Sequence, residues 1–75
     1  MANLEFNKKL GAVLRSKRQE KGFSQEYVAT LLGISKNQIS HWVIGKRSMY
    51  AESLANYCKI LNCTMQDVFN EMENF

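Results

Sequence analysis

Lys36, Asn37, Ser40 and His41 carry hydrogen-bonding groups one, three and four residues apart, so a helix through them sets all four on one face. Those groups suit the edges of base pairs. An asparagine amide can donate and accept at adenine N6 and N7, and a lysine ammonium can donate to guanine O6 and N7. Ser40 is short and adaptable. His41 can donate to guanine or to a phosphate, with a merely exposed histidine as the equal alternative. Asn37 and Lys36 are read as base contacts in preference to plain solvated surface.

Other chemistry is poorly served. His41 is the only histidine, and Cys58 and Cys63 are the only cysteines. Together they make three potential metal ligands, yet no CxxC pair and no second histidine at finger-like spacing accompanies them. The two cysteines are read as small core residues at a helix end, kept as thiols by a reducing cytosol. No metal or other cofactor is expected. No recognisable motif gives His41 a Ser, Cys or acidic partner, and no glycine-rich phosphate loop occurs, so an enzyme is not expected.

The chain around these residues has 75 residues, enough for one core, and residues 1–75 are read as a single domain. It is 45% hydrophobic with no proline, a composition suited to helix packing. No apolar run approaches the roughly 18 residues of a membrane span. The start, Met1-Ala2-Asn3-Leu4-Glu5, lacks the basic and apolar regions of a signal peptide, so the expected location is the cytoplasm, at the nucleoid when bound to DNA. Charge is uneven: residues 1–47 hold nine Lys/Arg against Glu5, Glu20 and Glu26, a balance of +6, while residues 48–75 hold Lys59 against four acids, a balance of −3. That division suits a polyanion on one face only.

Helical periodicity with short punctuation organises the rest. Phe6, Leu10, Val13 and Leu14 give a first helix an inward stripe, and Gly22 closes it. Ser24 caps a second helix, with Tyr27, Val28, Leu31 and Leu32 as its apolar face, and Gly33 ends it. Ser35 opens a third, where Gln38 completes a capping-box pattern, and Ile39, Trp42 and Val43 face inward. Trp42 is read as core, since duplex DNA offers no splayed base to stack on. A fourth helix is expected from about Tyr50 to Leu61, with Leu54, Tyr57, Cys58 and Leu61 inward and no good cap at its start. Thr64 opens a fifth, with Asp67 in its first turn. Five helices and no strand pattern predict an all-α fold.

Residues 25–44, QEYVATLLGISKNQISHWVI, are two short helices joined by a glycine-containing turn, the helix-turn-helix arrangement. Ala29 is small where the helices approach, Gly33 suits a positive φ, and Ile34 and Ile39 pin the second helix to the first. With Arg18, Gly22, Phe23, Ser24, Gln25, Val28, Leu32, Ser35, Ser40, Trp42, Gly45, Lys46, Leu54, Leu61, Val68 and Phe69, this string resembles the Cro-and-repressor (XRE) helix-turn-helix family from about residue 10 to 69. The resemblance implies a five-helix, lambda-repressor-like domain whose third helix enters the major groove while the second crosses the backbone, two subunits reading two half-sites. It also places Gln25 at the family position that grips a phosphate where the second helix starts. Gln38 either binds phosphate or caps the third helix, with capping preferred. Lys46 and Arg47 are expected to neutralise backbone charge, and Arg15, Lys17 and Lys21 to add long-range attraction.

Three residues depart from the family pattern. Val43 replaces the usual glutamate partner of the first-helix arginine, here Arg18, which is then expected to be free for phosphate. Ile44 replaces a polar residue at the edge of the reading face, where sugar or a thymine methyl lies within reach. Met49 replaces a common proline.

Met65, Val68, Phe69, Met72 and Phe75 form an apolar stripe that one small domain cannot easily bury. Met65, Phe69, Met72 and Phe75 are read as a homodimer patch on the acidic end; the alternative is that Val68 and Phe69 fill the core while Met72 and Phe75 fray. The expected function is a stand-alone transcriptional regulator, a repressor binding double-stranded DNA at a palindromic operator as a dimer. A second reading is an antitoxin-type module whose C-terminal stripe binds a partner protein.

Overall fold

The computed structural model describes residues 4–74, and every regular element within them is a helix. In order these are α1 (Leu4–Lys21), α2 (Gln25–Leu32), α3 (Lys36–Val43), α4 (Ala51–Ile60) and α5 (Met65–Met72). Their starts follow local side-chain chemistry. Ser24, Ser35 and Thr64 hold extended backbone, and each hydroxyl oxygen accepts the N–H three residues on, at 3.0, 3.2 and 3.0 Å. At Thr64 the Asp67 carboxylate accepts the Thr64 N–H in return at 3.0 Å, closing a full capping box. The Thr64 N–H, and after it the Thr64 side chain, hold the Asp67 carboxyl below its ordinary range. At Ser35 the box predicted from Gln38 forms only by half: the Gln38 backbone donates, but its side chain makes no return bond among the described residues. Tyr50 precedes α4 with no side-chain cap, as its residue type predicts.

The turn between α2 and α3 depends on Gly33 at φ +71°, which lets the Ile34 N–H reach the Ala29 carbonyl at 3.0 Å. α1 lies against α3 and α5, α2 lies against α3 and α4, and α4 meets α5. Val13, Leu14, Val28, Ile39, Tyr57, Leu61 and Val68 form the driest part of the core between them.

Two glycines let α1 receive the end of α3. A Cβ on Gly11 would collide with the carbonyl oxygen of Trp42 and come within 2.6 Å of that of Val43. A Cβ on Gly45, at φ +78°, would stand 2.8 Å from the Lys8 backbone nitrogen. Beside them the buried Asn7 amide donates to Ser48 Oγ at 3.0 Å, tying down the segment after α3.

The helical stripes differ from expectation at three places. Phe6 is 44% exposed, its ring 6.4 Å from that of Phe69. Tyr27 and Leu31 are about half exposed, because the eight-residue α2 turns only Val28, Ala29 and Leu32 inward. Met72, assigned to a dimer patch, is instead a core residue at 8% exposure. The 18-residue α1 is long enough to cover that side of α5, where Lys17 pairs with Glu71.

Candidate nucleic-acid interface

α3 turns Ile39 and Trp42 into the core, with Val43 half-buried beside them. Its outer side presents Lys36 and Asn37 exposed to solvent, Ser40 and His41 in part, and Ile44 at 59% exposure. The five residues fall on one face, as their spacing predicts. Trp42 packs inward against Tyr57, ring centroids 6.4 Å apart, so the indole is core.

Ser40 has a more definite task than its sequence position suggests. Its hydroxyl donates to Gln25 Oε1 at 3.0 Å, joining the middle of α3 to the first residue of α2. Gln25 Nε2 has no partner among the described residues, so the bond fixes the amide with its two N–H donors uncommitted. Gln25 lies in a concavity lined also by Arg15, Arg18, Ser24, Glu26 and Lys36. The first-turn N–H groups of α2 add positive potential there. The concavity suits an anion, and Arg15 belongs to it although its sequence position promised only long-range attraction.

Arg18 does not fill the role expected of it. It is 7% exposed, and its Nη1 donates to the Phe23 carbonyl at 2.6 Å. With no glutamate at position 43, one guanidinium nitrogen serves the backbone that follows α1, and the largely buried side chain lines the concavity without being free at the surface. Lys17 is likewise engaged: its ion pair with Glu71 raises its affinity for a proton and joins α1 to α5.

Lys46 and Arg47 are exposed just beyond α3. The Lys46 N–H donates to the His41 carbonyl at 2.8 Å, which holds the segment against the helix. Arg47 and Gln38 line a second hollow with Trp42, Ser48, Met49 and Tyr50, on the other flank of α3. Sequence reasoning gave Tyr50 no role beyond the start of the fourth helix, and none to Asn7 or Gly11. A lone glycine inside a helical pattern is a detectable signal for Gly11; Asn7 carries none, because its partner is 41 residues away.

At the opposite end, Met65 and Phe69 are each 37% exposed on α5. Phe75 lies outside the described residues. Among the described residues no helix is long and apolar enough to cross a membrane.

A family model described as Helix-turn-helix matches residues 14–68, which span α2 and α3 and most of the core. Two solved structures of the clp gene regulator ClgR from Corynebacterium glutamicum are similar. One has a TM-score of 0.89 at 30% identity, covering 99% of this chain and 78% of that one. The other has a TM-score of 0.86 at 31% identity, covering 91% and 88%. A point mutant of the restriction-modification controller protein C.Esp1396I superposes with a TM-score of 0.82 over 99% of this chain and 92% of that one; at 24% identity it shows the fold alone. No curated protein matches the sequence. The matched segment, the identity to ClgR and the glycine-turned α2–α3 pair agree: the chain belongs to the XRE-type helix-turn-helix family.

Proposed function

We propose that the protein binds double-stranded DNA sequence-specifically and regulates transcription, with α3 in the major groove and the start of α2 against the phosphate backbone. The observation that carries this reading is the Ser40–Gln25 hydrogen bond, which locks an exposed polar helix face to a donor group set in a basic concavity. Base edges and a phosphate can then be engaged together by one rigid unit. Lys36, Asn37 and His41 read bases; Gln25, Lys46, Arg47 and the uncapped Gln38 side chain contact phosphates. The description of ClgR as a gene regulator supports the regulatory role.

We assign a repressor working as a homodimer on a palindromic operator, through an α5 patch centred on Met65 and Phe69. One module of this size buries too little surface for operator affinity, and a two-fold pair doubles it. Selecting bound duplexes from a random pool tests the reading: a recurrent motif repeated as inverted half-sites is the expected result, and no enrichment at low salt overturns it. On the selected site, Asn37→Ala should relax preference at one base position, a loss of about 1–3 kcal/mol of discrimination. Lys46→Ala should weaken cognate and random duplex alike and reduce the salt slope by about 1. Equal losses for Asn37→Ala on both duplexes remove it from the base-reading set.

A further inference from the structure

The DNA-binding reading leaves the two cysteines without a task, yet the last turn of α4 brings them together. Asn62 takes left-handed backbone at φ +55°, and its N–H donates to the Lys59 carbonyl at 3.1 Å. The next N–H, that of Cys63, reaches back to the Cys58 carbonyl at 3.0 Å. This pair of bonds is the Schellman ending, which folds the chain so that the side chains of its first and last residues meet. Here those residues are Cys58 and Cys63. The 3.0 Å contact, extended to the Cα atom at each end, holds the two Cα atoms within about 7 Å, the range a disulfide spans. The two thiols are near enough to act on one another electrostatically.

Their surroundings divide the labour. Cys58 is 3% exposed, whereas Cys63 is only partly covered. Burial pushes the Cys58 thiol up to about 12, so it is not the sulfur that reacts first. Lys17 of α1 is close enough to interact with both sulfurs, and its charge partly opposes the effect of burial on Cys58. Among the described residues no third metal-ligating side chain joins the pair, which points to redox chemistry in place of a metal site.

We propose that Cys58 and Cys63 are an oxidation site, closing a reversible intrachain disulfide on exposure to a hydroperoxide. The Cys63 sulfur attacks the peroxide oxygen; an S–O bond forms, the O–O bond breaks, and the departing alkoxide (hydroxide, for hydrogen peroxide) takes the thiol proton to leave as an alcohol (or water). The Cys58 sulfur then attacks the Cys63 sulfenic acid. The S–S bond forms, the S–O bond breaks, and hydroxide leaves with the Cys58 proton as water. Two thiols lose two electrons, and the hydroperoxide gains them. The bridge spans only the α4–α5 corner, on the acidic end and away from the face of α3.

Intact-mass spectrometry of the folded full chain treated with hydrogen peroxide tests this. The wild type should lose two hydrogens and both titratable thiols, regain them with dithiothreitol, and stay a single chain on a non-reducing denaturing gel. Cys58→Ser should stop at the first step, leaving one oxygen on Cys63 that a sulfenic-acid trap such as dimedone captures. Cys63→Ser should keep its buried thiol unoxidised under the same conditions, a readout that survives if the Cys58 variant fails to fold. Two intact thiols after treatment overturn the proposal, as do cross-linked chains or a bridge that forms as fast in urea as in the folded protein.

Discussion

Ser40 donates its one proton to Gln25, so at the interface it acts through another side chain more than through its own contact. If Gln25 grips a phosphate, Ser40→Ala releases the amide and costs about 1 kcal/mol of affinity. Fluorescence anisotropy should show that loss equally on cognate and random duplex; a loss confined to one base position returns Ser40 to the reading set. Arg18 separates stability from binding in the opposite sense. Arg18→Met keeps the aliphatic volume but leaves the buried end of α1 without its donor to Phe23, a cost of about 1–3 kcal/mol on stability. Chemical denaturation should record it, while the affinity of the folded fraction for DNA stays unchanged. A changed salt slope for that variant places Arg18 on the backbone after all.

At the scale of elements, what holds α3 in place is backbone packed on backbone. Gly11→Ala is favourable in an isolated helix by about 1 kcal/mol. Here the added methyl meets the carbonyls of Trp42 and Val43, which cannot rotate away. Overpacking of this kind costs about 1–3 kcal/mol, so the melting temperature should fall, by about 4–8 °C per kcal/mol in a domain this small. A rise in melting temperature on calorimetry contradicts the close approach. The same elements show why the sequence was readable in some places and silent in others. Ser24, Ser35 and Thr64 announced three helix starts because a cap is made by neighbours in the chain. Gly33 announced the turn for the same reason. Met72 was misassigned and the bond of Ser40 was missed because their surroundings come from other segments, the reach of α1 over α5 and the first residue of α2. Arg18 was misread although its partner, the Phe23 carbonyl, is only five residues away, because a backbone acceptor leaves no mark on residue type. Helical spacing identifies a face; it does not say how far a neighbouring helix extends across it.

Across the whole molecule, the charge division of the sequence becomes a division of elements, with α1–α3 basic and α4–α5 acidic, joined by the Lys17–Glu71 pair. The fold also has a defined weakness to alkali. Burial raises the Cys58 thiol from its ordinary 9.0 to about 12 and the Tyr57 phenol above 10.0, and the Glu71 partner raises Lys17 above 10.5. In each case the folded state holds its proton more tightly than the unfolded chain, so stability is intact below pH 9 and falls as pH rises towards 12. Urea midpoints measured across that window should decline, and Cys58→Ala should flatten the first part of the decline. A flat profile contradicts the burial of these groups.

The grip of Gly11 and Gly45 on the end of α3 has an evolutionary consequence. The helix is anchored by main chain and by its inward Ile39 and Trp42, so substitutions at its outward positions should change stability by only about 0.5 kcal/mol, as at surface sites generally. On the proposed DNA-binding reading, positions 36, 37, 41 and 44 can therefore drift together, as an exchangeable reading head on a fixed mount. New target sequences become accessible by a few substitutions that the rest of the protein does not feel.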